Sequence, residues 1–396
     1  MTSKISTWNY RLSAALLLMA PFDILASLAM DIYLPVVPII MPRALDTSPA
    51  TVQLTLSLYM FMLGAGQIVF GPLSDIVGRR PVLVGGAALF AAASFLLAGT
   101  SSAGLFVALR LLQAVGASAA LVATFATVRD VYADRPEGAQ IYSLLGSMLS
   151  FVPTLGPIAG ALIAGHFGWR AIFLALGILT LVAILNAVAR WHETRPTTVS
   201  IPKTAFRPIL KDFSFWTYTT GFSAAMGAFF IFFSTAPRVL IDRAGFSGIA
   251  FSLAFATAAL VMILTARFAG SFVKRWGSAG SLARGMMMLL VGAVLLAAGE
   301  LLLIPSFVSF VLPMWVIAIG IVFATAVTAN GALRAFDDTA GTAVALYFCV
   351  ESLIVGLIGT LFVVFLHGDT AYPLAGYCIV MALITLFALR RLQRRS

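Results

Sequence analysis

Charge is what this sequence has least of. Only 10% of its 396 residues are Asp, Glu, Lys or Arg, against about 25% in a soluble domain. A soluble chain of this length would need two or three domains with charged surfaces, and there are too few charges to cover them. A disordered chain is excluded for the same reason. Cysteine is scarce too, with 2 in all. Cys349 and Cys378 both sit in apolar runs, which excludes a disulfide scaffold and a thiolate metal site. The 3 histidines, His166, His192 and His367, are scattered and form no metal set. There is no phosphate-cradling glycine loop, so ATP is not expected to drive this protein. No Ser, Cys or His arrangement suggests an enzyme, and no cofactor or metal is expected. What is abundant is apolar: 61% of the chain is hydrophobic. An all-α polytopic membrane protein is the class that remains.

A helix of about 20 apolar residues crosses a bilayer. Twelve such stretches are present: 12–36, 53–73, 81–100, 105–128, 140–164, 170–190, 214–237, 247–268, 281–303, 307–329, 339–365 and 371–389. The first holds Asp23 and Asp31 and ends in Leu34-Pro35 without a small-residue cleavage site. It is therefore read as a span and not as a signal peptide. The longest polar stretch, His192 to Asp212, divides the chain into a bundle over 1–191, a cytoplasmic linker over 192–213 and a second bundle over 214–396. With the N-terminus placed inside, four of the 25 Lys and Arg fall outside (Arg43, Arg170, Arg238, Arg243) and Arg110 falls within a span; the other twenty lie inside. That bias predicts both termini in the cytoplasm. It also assigns the net charge of +10 to the membrane surface and not to nucleic acid.

The halves repeat. Gly71 and Gly78 flank the turn after the second span, and Gly270 and Gly277 flank the turn after the eighth, displaced by 199 residues. Leu34-Pro35 closes the first span and Ala236-Pro237 the seventh, displaced by 202, against a half-length of 198. Parallel repeats of this kind are a transporter architecture, with the binding site where the repeats meet.

Six groups of residues carry candidate chemistry. In Gly71-Pro72-Leu73-Ser74-Asp75-Ile76-Val77-Gly78-Arg79-Arg80-Pro81, the glycines permit a tight turn and Asp75 can pair with arginine. Arg129-Asp130, at the inner end of the fourth span, can join Asp75, Arg79 and Arg80 in a latch. Arg110, in Arg110-Leu111-Leu112-Gln113, lies inside a span, where a lone arginine costs about 2.5–3.5 kcal/mol and needs compensation. The first span offers Asp23, with Asp31 about 12 Å further out and Ser27 on nearly the same face. A carboxyl poised between burial, which favours its neutral form, and a nearby arginine, which favours its charged form, can take up and release protons. In Pro153-Thr154-Leu155-Gly156-Pro157-Ile158-Ala159-Gly160, small residues allow close helix approach. Phe222, Met226, Phe229, Phe230 and Phe233 form a stripe at helical spacing in the seventh span, suited to an apolar ligand. Glu300 and Glu351 are further acids within spans.

These motifs resemble those of the major facilitator superfamily. Gly156, Pro157 and Gly160 resemble the signature of its drug/proton antiporters. Pro21-Phe22-Asp23, Met30-Asp31-Ile32-Tyr33-Leu34-Pro35 and Phe125-Ala126-Thr127-Val128-Arg129-Asp130 resemble the twelve-helix chloramphenicol and florfenicol exporters. The resemblance implies two six-helix halves and alternating access in a bacterial inner membrane. It implies phenicol export driven by inward proton flow, conferring drug resistance. Asp23, Asp31 and Arg110 would couple protons. Asp23, Ser27, Met30, Arg110 and the five residues of the stripe would bind drug. The expected partners are a small amphipathic drug, protons and the lipid bilayer, and the chain is expected to act as a monomer. The alternative is a facilitator for other drugs or small metabolites.

Overall fold

The computed structural model describes residues 8, 10–132, 136–195, 206–336 and 340–394, and no strand occurs among them. The helices are α1 Leu12–Asp31, α2 Ile40–Ala44, α3 Pro49–Val77, α4 Arg79–Gly99, α5 Ala103–Tyr132, α6 Pro136–Phe167 and α7 Arg170–Arg190. They continue as α8 Phe206–Lys211, α9 Phe213–Pro237, α10 Gly248–Leu302, α11 Leu312–Leu333, α12 Ala340–Ile354, α13 Thr360–Phe365 and α14 Tyr372–Gln393. Each of the twelve apolar stretches lies on this helical framework. Ten of the helical segments are long and apolar enough to cross a membrane, and a shorter apolar run, Leu155–Phe167, lies in α6. One of the ten, the 55-residue α10, holds two spans joined at Gly277, where φ 69° and ψ 173° break the helix.

Two expectations need correction. The second span runs on to Val77, so Gly71 and Pro72 lie inside α3 and the chain turns only at Gly78. A Cβ at Gly71 would meet nothing within 4 Å, so this glycine serves no close approach. The eleventh stretch is not one continuous α-helix. A π-helical segment, Val355–Gly359, separates α12 from α13. Of the expected linker, 196–205 lies outside the described residues, and α8 follows it.

By contacts the chain forms two units. One comprises Met1–Val36, Arg43–Thr47 and Leu58–Ile201; the other comprises Val37–Pro42, Ser48–Ser57 and Pro202–Ser396. Two segments of the expected first bundle, Val37–Pro42 and Ser48–Ser57, thus group with the second unit.

In the first unit, Trp8 and Trp191 meet edge-on at 5.1 Å, and Trp8 Nε1 donates to the Tyr132 hydroxyl at 3.1 Å. In the second, Phe232 stacks on Phe255 and on Phe310 at 5.1 and 5.6 Å. Lipid tails give apolar helices little reason to prefer each other, so backbones must approach closely to gain packing. A Cβ on Gly116 of α5 would lie 2.5 Å from the Gly86 carbonyl of α4. A Cβ on Gly320 of α11 would lie 2.6 Å from that of Gly285 in α10. Gly86 and Gly285 are again 199 residues apart. The outward faces stay apolar: Leu174, Ile178, Leu181 and Leu185 form an exposed stripe along α7.

Candidate functional site

The first unit encloses Arg110, which is 0% exposed. Its guanidinium carbon lies 4.5 Å from the ring centroid of Tyr33 and 4.4 Å from that of Tyr59. One guanidinium nitrogen donates to Gln113, one turn along α5, and the other donates to the Tyr33 hydroxyl at 3.4 Å. Gln113 Nε2 in turn donates to Ser94 Oγ on α4 at 2.8 Å, and Tyr59 donates to the Ala26 carbonyl of α1 at 3.0 Å. A desolvated cation–π contact contributes about 2 kcal/mol. Two of them roughly offset the cost of burying an arginine in a span.

Neither acid of α1 forms an ion pair with Arg110 among the described residues. The ion pairs among the described residues include neither Asp23 nor Asp31. The physical reason is that the rings of Tyr33 and Tyr59 already flank the guanidinium, while Gln113 takes one of its nitrogens. Asp31 remains near: it and Arg110 both lie close to Tyr59. Asp31 Oδ2 is buried without a hydrogen-bond partner. Asp23 is 1% exposed, and neither of its oxygens has a partner among the described residues. Met30 is buried between the two acids in sequence, and Ser27 is half-buried.

The small residues of α6 meet α1 beside Asp31. A Cβ on Gly156 would lie 2.8 Å from the Asp31 Cβ, and one on Gly160 would overlap the Ile32 carbonyl oxygen. Pro157 lies between them, buried within α6. Gly156 and Gly160 are therefore what lets α6 seat against the acid end of α1.

The latch residues come together. Arg79, 2% exposed, bridges Asp75 at 2.5 Å and Asp130 at 2.7 Å. It also donates to Ser74 Oγ at 2.8 Å. Arg129 lies 3.5 Å from Asp130 and 3.9 Å from Asp75. Arg80 stands apart from these acids and donates to the Val188 carbonyl at 2.7 Å.

The stripe on α9 divides. Phe222 stacks on Tyr347 of α12 at 4.7 Å, whereas Phe229 and Phe233 meet Phe255 of α10 at 6.5 and 5.9 Å. Phe230 is buried toward Gly359, and Met226 is half-buried. The five residues therefore meet different neighbouring helices. Glu300 pairs with Arg243 at 2.7 Å.

The model of the Major Facilitator Superfamily matches residues 22–360. The chain belongs to that superfamily. It is thus a multi-pass membrane transporter and not an enzyme. A chloramphenicol resistance protein of Pseudomonas aeruginosa is 50% identical over 387 residues, covering 98% of this chain and 92% of that one. Multidrug resistance protein MdtL of Escherichia coli is 31% identical over 237 residues, 59% of this chain and 58% of that one. Among solved structures, a bacterial homolog of the human lysosomal transporter Spinster, inward-facing and unoccupied, aligns with TM-score 0.76 at 14% identity, covering 96% and 97% of the two chains.

In this major facilitator chain, residues that motif reading passed over complete the site. Glu193 accepts from the backbone N–H groups of Arg79 and Arg80 at 2.8 and 3.1 Å, at the start of α4. It satisfies two of the N–H donors that the start of a helix leaves open. Tyr33, Tyr59, Gln113 and Ser94 hold Arg110. Only one signal could have found them: Gln113 lies three residues after Arg110, a spacing at which helix side chains meet.

Proposed function

We propose that this chain exports phenicol antibiotics across the bacterial inner membrane, driven by protons moving inward, and so confers resistance. The phenicol substrate is supported by the 50% identity, over nearly the whole length, to a protein named for chloramphenicol resistance. Proton coupling is carried by one observation: Asp23 is buried with no partner for either oxygen among the described residues. A bare carboxylate in such surroundings costs far more than a protonated acid. Asp23 therefore ionises only when its surroundings open or a ligand arrives, which is what an exchange of proton for drug requires. Asp31 is the second acid. Arg110 supplies fixed positive charge, buffered by two rings so that it does not collapse onto a carboxylate. Ser27, Met30 and the residues of α9 contact the drug, with Phe222 and Phe229 serving different parts of it. The transporter works as a monomer with both termini in the cytoplasm, and its two helical bundles alternate in access. Asp75, Arg79 and Asp130 latch the cytoplasmic side, which the excess of inside Lys and Arg supports.

The test is chloramphenicol export, with the accompanying proton movement, in reconstituted vesicles under an imposed pH gradient. Asp23→Asn should abolish uphill export. Asp23→Glu should keep part of it, because the titrating group survives displaced by one methylene. If Asp23→Asn still concentrates the drug, Asp23 is not the proton carrier.

A further inference from the structure

The second unit holds an acid that this scheme leaves unused. Glu351 on α12 is 4% exposed. Ser352 Oγ donates to its Oε2 at 3.0 Å, and no ion pair among the described residues includes it. Two tyrosines lie near it, Tyr347 one turn earlier on α12 and Tyr377 on α14. Both point their hydrogens elsewhere: Tyr347 donates to Thr328 Oγ1 at 2.9 Å, and Tyr377 donates to the Ser223 carbonyl at 2.7 Å.

Among the described residues of the elements packed on α12, the cations lie away from Glu351. The segment packs against α8, α9 and α11. Their charged residues are Arg207 and Lys211 on α8 and Arg334 at the end of α11. All three precede α12, which starts about 16 Å along its axis from Glu351. The titratable groups closer in are Tyr347 and Tyr377. An acid given one neutral hydrogen bond and no cation, deep in apolar packing, is stable with its proton on.

The backbone adds an independent observation. Val355–Gly359, starting four residues after Glu351, is π-helical. Single π turns inside α-helices gather at functional sites, because they shift the register of side chains and leave a site for rearrangement. This one faces the aromatic stripe: a Cβ on Gly359 would lie 3.5 Å from the Phe230 ring.

We propose that Glu351 is a second proton-binding site, housed in the second unit, so that one cycle carries two protons against one drug molecule. The inference rests on the proton-coupled reading of the first unit. Each proton driven by a gradient of one pH unit contributes about 1.4 kcal/mol, which is tenfold in the opposing drug ratio. In vesicles with that gradient and no membrane potential, net chloramphenicol flux should reverse at a drug ratio of about 100 for the parent protein and about 10 for Glu351→Gln. Glutamine keeps an acceptor for Ser352 and loses only the titration, so a merely structural acid would leave the reversal ratio unmoved. That result would overturn the proposal. A flux indifferent to the pH gradient in the parent protein would instead remove the proton-coupled reading and this inference with it. A second measurement needs no variant. Dicyclohexylcarbodiimide, which attacks protonated carboxyls in apolar surroundings, should modify Glu351 of the parent protein at neutral pH, as read by peptide mass. An unmodified Glu351 peptide overturns the proposal independently.

Discussion

The turns at Gly78 and Gly277 are the same backbone device in the two units. Both have positive φ, 118° and 69°, with extended ψ of 157° and 173°. The side chains around them have nothing in common. Gly78 sits among Asp75, Arg79, Asp130 and Glu193, joined by ion pairs and charged hydrogen bonds. At the second turn Lys274 stands where the repeat would put Asp75, and Ser278 where it would put Arg79. There Trp276 packs on Phe272 and Phe323 at 4.9 and 5.1 Å, with Arg284 over its ring at 4.7 Å. The repeat preserves the turn and leaves its chemistry free. Ion pairs can exchange partners between two states, whereas an aromatic cluster gains nothing by opening. The first unit's turn is thus the one suited to switching.

The largest expected break is Arg79→Ala. Asp130, 5% exposed, would keep its charge with only the more distant Arg129 beside it. Removing one partner of a buried pair costs about 3–5 kcal/mol. A large fall in melting temperature in detergent is expected. Trp276→Ala should cost less, because Trp276 is only half-buried and the Arg284 charge it leaves behind is exposed. Equal losses would remove the distinction between the two turns.

The glycines sharpen it. Both lie in a backbone region that is essentially glycine-only, with a cost of about 1–3 kcal/mol for another residue. At Gly277 a Cβ meets open space, so Gly277→Ala should cost that strain alone. At Gly78 it would lie 2.5 Å from Glu193 Oε2. Gly78→Ala should therefore destabilise more, and Glu193→Ala in the same chain should recover part of the excess. Melting curves of the three variants decide it.

These contrasts also show what the sequence made legible. The spans were readable because a bilayer demands long apolar runs, and Asp23, Arg110 and Glu351 stand out inside them as a charge never does in a soluble chain. Asp75, Arg79 and Asp130 were readable because their spacing carries a known pairing. The support of Arg110 was not. Tyrosine and glutamine are ordinary in membrane helices, and two rings meeting one guanidinium from α3 and the segment after α1 is a fact of packing. Glu193 was hidden for the opposite reason: it lies in a polar stretch where charge costs nothing. Gly71 was over-read, because a glycine inside a helix and one at its end look alike in one dimension. The stripe on α9 has true helical spacing, but spacing cannot tell which neighbouring helix each ring meets.

The smallest effect on stability, and the most informative one for the switch, should come from Asp75→Asn. Asp75 is 45% exposed, so its bridge to Arg79 is screened and contributes about 0–1 kcal/mol. Arg79 keeps Asp130 and Ser74 after the substitution, so the fold has no reason to fail. If Asp75 only decorates the turn, the transport rate should fall no more than stability does. If the three-way cluster is one arrangement of a two-state element, removing one charge biases the equilibrium between states. A bias of about 1.4 kcal/mol is then enough for a tenfold change in cycling. The expectation is near-parent melting, near-parent drug affinity and a several-fold lower turnover in vesicles. Lys274→Asn at the other turn should leave all three unchanged, because no ion pair among the described residues involves Lys274. A parent-like turnover for Asp75→Asn, or an equal loss for Lys274→Asn, would mean that charge at the first turn serves packing alone.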